Sequence, residues 1–277
     1  MTSVQLLSSL LQALPLFKGK RRIGRMIMNV SGVSKKKDIP VKTKAGRFYL
    51  PNLKDMISID LFINGFYEKG LVNMLKRNIP PDGVFIDVGA NIGSISIPLS
   101  RMRPDIRIVA VEASPWIFSI LKKNLEMNNA TNITAANFAV YSESHRMLPM
   151  YAPKDLFGKG SLKAVFTKQA EMVEAITIDD IKKEFNLPVI HFIKVDVEGF
   201  EAAVFNGMSR VSVTDKPKII FEFSEWAEEA AGFQPREAQS IILEKGYKIQ
   251  LMDDNFKLVG NPSDAIQLVK SSNIFAS

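Results

Sequence analysis

Five runs rich in Val, Ile and Phe, covering residues 84–88, 106–112, 133–140, 192–197 and 219–223, recur without the in–out alternation of a half-solvated strand. Strands of that kind are buried on both faces, as in a parallel sheet covered by helices on each side. Helical candidates fall between and after them, at 92–102, 115–128, 178–185, 201–208 and 236–245. The order predicts a doubly wound α/β domain. After Gly246, residues 247–252 and 273–276 read as two further strands, close enough in sequence to form an antiparallel hairpin that closes the sheet.

Upstream of these runs the chain changes character. Residues 41–50 suggest a hairpin turning at Ala45-Gly46, and 57–78 read as helical with interruptions at Gly65 and Gly70. Earlier still, Val4, Leu7, Leu10, Leu11 and Leu14, then Ile23, Met26, Ile27 and Val30, recur at helical spacing. They predict two short amphipathic helices packed on the main domain, with 31–38 as a linker. The expected organisation is a basic helical extension over 1–40, a hairpin and helical cap over 41–80, and the main domain over 81–277.

The formal charge of +7 is unevenly placed. Residues 1–54 hold twelve Lys and Arg against one acid, Asp38, so the excess belongs to the extension and the body is slightly acidic. Such asymmetry suits either a solvated face or contact with an anionic partner, here a peripheral anionic surface meeting residues 1–54. With no cysteine, disulfides, thiolate zinc sites and a cysteine nucleophile are excluded. No apolar run reaches the roughly 20 residues needed to span a bilayer. Basic residues follow the first apolar stretch rather than precede it, the reverse of a secretory signal, so a cytoplasmic location is expected.

The segment Phe85-Ile-Asp-Val-Gly-Ala-Asn-Ile-Gly93 joins an apolar strand to a glycine turn and a helix, and Glu112 ends the next strand about 20 residues on. Glycines let backbone approach a ligand, the helix N-terminus offers free N–H groups, and the later carboxylate accepts from two ribose hydroxyls. The third glycine of a dinucleotide fingerprint is missing and no P-loop lysine follows. The loop, with Asp87, Gly89, Asn91 and Gly93, has instead the D-x-G-x-N-x-G form common among S-adenosylmethionine enzymes.

From about residue 60 onward the sequence resembles the FkbM family of methyltransferases. The matching pieces are Gly65-Phe-Tyr-Glu68, Phe85 to Gly93, Val111-Glu-Ala-Ser-Pro115, Ile176-Thr-Ile-Asp-Asp180, Ile193-Lys-Val-Asp-Val-Glu-Gly-Phe-Glu201 and Pro217-Lys-Ile-Ile-Phe-Glu222. The resemblance implies a Rossmann-like class I methyltransferase fold with a mainly parallel sheet, S-adenosylmethionine as donor, and a hydroxyl of a small molecule or sugar as acceptor. It places Asp87, Gly89, Ala90, Asn91 and Gly93 in the cofactor loop and Glu112 at the ribose. Ala113 and Ser114 fall at the adenine edge, with Asn137 and Ala139 presenting backbone to adenine. By their place before the sheet, Glu68 and Tyr67 are candidates to fold over the cofactor's methionine end, with a local helix role as the alternative.

In an open α/β sheet ligands sit beyond the C-terminal strand ends, where Asp196, Glu198 and Glu222 are expected. Asp196 is the first candidate for the acid on the acceptor side and also for a cofactor contact, with Glu198 and Glu222 next. Lys194 and Glu201 are assigned to helices and solvent. His191 begins its strand at the opposite end, and His145 lies in a loop. The three carboxylates could ligate Mg²⁺ or Ca²⁺, but no metal is expected. Gly158-Lys-Gly-Ser161 reads as a mobile lid. Two alternatives stand beside the small-molecule reading. One is nucleic-acid methylation, although Glu222 stands where a 2'-O-methyltransferase usually has lysine, and no obligate nucleic acid is expected. The other is a non-catalytic cofactor-binding module docked on an anionic surface.

Overall fold

The computed structural model describes residues 2–259 and 270–277. The chain opens with two helices, α1 (Ser3–Ala13) and α2 (Lys20–Val30), then a hairpin of β1 (Lys37–Lys42) and β2 (Arg47–Asn52). Helices α3 (Met56–Asn64) and α4 (Lys69–Asn78) lead to β3 (Val84–Val88), α5 (Ser96–Met102), β4 (Arg107–Val111), α6 (Pro115–Asn128) and β5 (Ile133–Ala136). A short excursion follows through β6 (Ala139–Val140), β7 (Met147–Met150) and β8 (Glu171–Ile176). The chain re-enters the main layer through α7 (Ile178–Glu184), β9 (Phe192–Val195), α8 (Glu201–Asn206), α9 (Val211–Thr214) and β10 (Lys218–Ser224). It continues with α10 (Glu225–Ala231), α11 (Glu237–Glu244), β11 (Ile249–Met252), β12 (Leu258–Val259) and β13 (Ser271–Ala276).

The central sheet has the order β12-β11-β13-β10-β9-β3-β4-β5. Pairs from β10 through β5 are parallel, while β13 lies antiparallel between β10 and β11. This is the mainly parallel α/β sheet, closed by an antiparallel element, that the apolar runs predict. Alternate strand residues feed two cores. Phe85, Ile108, Phe192 and Ile220 pack with α3 to α6 on one face. Ile86, Val109, Ile193 and Phe221 pack with α7, α8 and α11 on the other. All five residues of β3 are buried, which accounts for its unbroken apolar run.

Several expectations change in detail. The run 133–140 is two strands, because Asn137 Nδ2 donates to the carbonyls of Glu112 (2.8 Å) and Ala113 (3.0 Å), turning the chain so that β6 pairs with β8 instead. Gly65 ends α3 as expected, but Gly70 lies inside α4. The segment 31–38 contains a 3-10 turn at Val33–Lys35 and the first residues of β1, so little of it is linker. Helices α1 and α2 do pack on the body. Ser8 Oγ donates to the Phe62 carbonyl (2.9 Å), and Arg21 makes a two-pronged contact with Asp60 (2.8 and 2.6 Å). Among the described residues no helix is long and apolar enough to cross a membrane.

Candidate active site

Strand order reverses between β3 and β9: the chain leaves β3 outward to β4 and β5, then returns to the other side of β3. Open α/β sheets hold ligands at such a reversal, beyond the C-terminal strand ends. A cavity of about 910 Å³ opens there. Its two central loops meet closely: Gly89 has φ +76°, and a Cβ on it would stand 2.0 Å from the Asp196 carbonyl oxygen. Only glycine fits both the left-handed backbone and the space.

On the β4 side, Glu112 is 4% exposed and its carboxylate accepts the backbone N–H groups of Asn91 (2.9 Å) and Ser114 (2.8 Å). Burial raises its pKa to about 7, against those two hydrogen bonds. Each oxygen keeps a lone pair for a further donor. Gly89, Ala90, Asn91, Glu112 and Ala113 line one side of the cavity, with Ile117, Phe138, Ala139 and Val140 as apolar surface beside them. An acidic group next to an apolar slot and a bare glycine backbone has the chemistry to take a nucleoside.

Lys194 is the buried cation of the site. It is 6% exposed, and its Nζ lies 3.2 Å from Asp196 Oδ2, 3.6 Å from Asp87 Oδ1 and 3.4 Å from the Gly89 carbonyl oxygen. Burial alone would lower its pKa, but the charges of Asp196, Asp87 and Glu68 outweigh that and raise it. Asp87 is fully buried; its Oδ2 accepts from Ser96 Oγ (2.5 Å), while Oδ1 has no hydrogen-bond donor and faces the lysine. Glu68 lines the cavity from the start of α4, its pKa raised to about 7 by burial and by the Asp196 charge.

Asp196 and Glu198, just past the end of β9, converge with Glu222, near the C-terminal end of β10, an oxygen of each lying within 4.8 Å of the others. Three carboxylates so close can share a proton or a divalent cation. Glu222 is pushed up to about 8, first by the Asp196 charge and then by burial. Burial, then Asp196, pushes Glu198 to about 7, although Lys159 Nζ bonds both its oxygens (2.9 and 3.2 Å). Lys159 belongs to a strap over the cavity: Gly158 N–H donates to Asp55 (2.8 Å), Asn91 Nδ2 donates to the Phe157 carbonyl (3.2 Å), and Ser161 bridges Tyr151.

Of the residues assigned from sequence, Glu68, Gly89, Ala90, Asn91, Glu112, Ala113, Ala139, Asp196, Glu198 and Glu222 line this cavity. Asp87, Gly93, Ser114 and Asn137 stand behind its wall. Asp87 ties β3 to α5 and Lys194, Gly93 packs on Ile97 and Leu121, Ser114 caps α6, and Asn137 holds the end of β5. Lys194 and Glu201 are corrections: neither faces solvent. Glu201 is 3% exposed and accepts the Val197 N–H (3.1 Å). The sequence signal for Lys194 is a lysine within a strand buried on both faces, two residues before Asp196 and therefore on its side of the sheet. Tyr67 lines the cavity as expected. His191 Nδ1 accepts the Val84 N–H (3.1 Å) at the far end of the sheet, and exposed His145 pairs with Glu174.

Among similar proteins, methyltransferase sdnD of Sordaria araneosa is 27% identical over 202 residues, 62% of this chain and 76% of that one. The hexuronic acid methyltransferase AglP of Haloferax volcanii is 26% identical over 177 residues, 64% of this chain and 68% of that one. The crystal structure of precorrin-6y C5,15-methyltransferase from Geobacter metallireducens superposes with a TM-score of 0.43 at 15% identity, covering 76% of this chain and 86% of that one. The model of the methyltransferase FkbM domain matches residues 87–249, more than half of the sequence, and the chain belongs to that family of S-adenosylmethionine-dependent methyltransferases.

Proposed function

We propose that this enzyme methylates a hydroxyl oxygen of a small molecule or sugar. The observation that carries the reading is the carboxylate cluster at the C-terminal ends of β9 and β10, with Glu198 and Glu222 held near neutrality at about 7 and 8. A neutral alcohol must lose its proton as it attacks, and a base titrating near the working pH does this best. S-adenosylmethionine supplies an activated methyl group and takes back the electron pair of the broken carbon–sulfur bond. The chain itself holds nucleoside and acceptor in line. Glu112 takes the ribose, Glu68 and Asp196 form an acidic wall for the cationic methionine end, and Glu222 receives the acceptor's proton. The similarity to a protein named for hexuronic acid supports a sugar.

Titration calorimetry with S-adenosylmethionine and S-adenosylhomocysteine tests the cofactor half. Glu112→Ala should weaken both by about 10- to 100-fold, the loss of two charge-assisted hydrogen bonds. A panel of sugars, sugar acids and small hydroxyl compounds, with the methyl position read by NMR, tests the acceptor half. Wild-type kcat should rise with pH through about 8 as Glu222 ionises, and Glu222→Gln should abolish that rise while lowering kcat about 100-fold. Absence of cofactor binding by folded wild-type protein, or methylation confined to nitrogen, would overturn the reading.

A further inference from the structure

Of nineteen exposed large apolar side chains among the described residues, eight lie within residues 2–30, so exposed greasiness is concentrated on α1, α2 and their connection. On α1 these are Leu6 and Leu10, four residues apart and on one face, with Leu14 at the helix C-cap; on α2 they are Ile23, Met26 and Val30, again one face. Leu16, at 73% exposure, and Phe17 fill the connection between them. The opposite faces are already engaged. Leu11 and Met28 are buried in the core, and a Cβ on Gly24 would stand 2.6 Å from Ile63. The exposed stripe is therefore not a surface the body has yet to cover.

Charge accompanies it. No acid precedes Asp38. Arg21 is held by Asp60, and buried Lys20 donates to the Leu14 carbonyl (2.8 Å), which fixes the connection. Lys18, Arg22 and Arg25 are exposed, and among the described residues they pair with no acid. Arg22 and Arg25 share a shallow concavity with Met26 and Val30, so guanidinium groups border the apolar stripe. An apolar face edged by cations suits the boundary between acyl chains and anionic headgroups. The stripe is aliphatic apart from Phe17, the composition of the apolar face of a helix lying in a membrane surface.

We propose that the outer edge of α1, α2 and their connection docks the protein on an anionic lipid bilayer, lying in its surface. Leu16 and Arg21 also line the rim of the active-site cavity, so docking brings the cavity mouth to the headgroup layer. The experiment is co-sedimentation of the full chain, without cofactor, on vesicles of phosphatidylcholine alone or mixed with phosphatidylserine. Wild type should sediment with the phosphatidylserine vesicles and not with the neutral ones. Met26→Glu/Val30→Glu and Arg22→Glu/Arg25→Glu should each bind at least ~10-fold more weakly at an unchanged Tm. The unchanged Tm separates lost docking from lost folding. No binding to phosphatidylserine vesicles, or undiminished binding by Met26→Glu/Val30→Glu, would overturn the proposal. So would a wild-type dimer in analytical ultracentrifugation that this variant dissolves, because the stripe would then belong to a second copy. The readout involves neither cofactor nor acceptor, so it fails independently of the catalytic reading.

Discussion

Lys194 balances the charge of the site. Three carboxylates, from Asp87, Asp196 and Glu68, act on one ammonium group that is almost wholly buried. Lys194→Met is one atom shorter but keeps an unbranched apolar stem, and it removes the charge together with the hydrogen bonds to Asp196 and the Gly89 carbonyl, leaving Asp87 Oδ1, already without a hydrogen-bond donor, facing no cation. Removing one partner of a buried charge cluster costs about 3 kcal/mol, and the variant should lose that much in urea unfolding, with weaker cofactor binding. Wild-type stability in Lys194→Met would show that the lysine is dispensable to the cluster. Much of the site around it is legible in sequence, because Gly89, Asn91 and Glu112 follow a local motif whose spacing survives folding. Which strand residues face the cavity is less legible. In a strand buried on both faces, apolar periodicity carries no in–out signal, and so Lys194 reads as solvent-facing and Asp87 as a loop residue when both are buried beneath the loop.

At the scale of elements, boundaries set by local capping can be read from the chain, and those set by partners cannot. Helix α6 runs from Pro115 to Asn128 as its sequence predicts, because Ser114 accepts the Ile117 N–H and Asn129 takes the left-handed conformation at the other end. Strands β7 and β8 go unassigned because they are short, partly polar and defined by each other. Helix α10 is rich in Ala and Glu and offers no apolar period. The segment 158–161 reads as a mobile lid, yet the strap that contains it is tied at Asp55, Asn91 and Glu198. Asp55 is also the N-cap of α3, accepting the Ile57 N–H (2.9 Å). Asp55→Ala should therefore cost about 1 kcal/mol through the cap and speed exchange of the Gly158 amide by about tenfold through the lost hydrogen bond. Hydrogen-exchange mass spectrometry reads both effects. Saturating cofactor and acceptor should slow exchange across 158–162, and protection there indifferent to both ligands would show that the strap takes no part in closing the site.

The whole molecule carries its site as a pH-dependent load. Glu68, Glu112 and Glu198 are raised to about 7, and Glu201 and Glu222 to about 8, against an ordinary 4.5. In the unfolded chain these carboxyls release their protons near 4.5, whereas the folded protein retains them until pH 7–8. Between those limits the native state binds more protons than the unfolded one, so stability falls as pH rises. The contribution is fully present below the unfolded value and is lost as pH passes through the folded one. Asp105, Asp155, Asp180, Asp215 and Asp253 are shifted the other way, but their titrations lie at or below 3.8 and are complete before this window opens. Scanning calorimetry of the ligand-free protein should show Tm falling from about pH 5 to about pH 8, by roughly 2 °C or more for each kcal/mol lost. Glu198→Gln/Glu222→Gln replaces two of the titrating groups with neutral amides, so its Tm should decline less steeply and exceed that of wild type at the alkaline end. A wild-type Tm that rises over this interval, or an identical slope in the double variant, would mean that the cluster does not hold its protons in the folded state and that Glu222 is not poised to accept one from an alcohol.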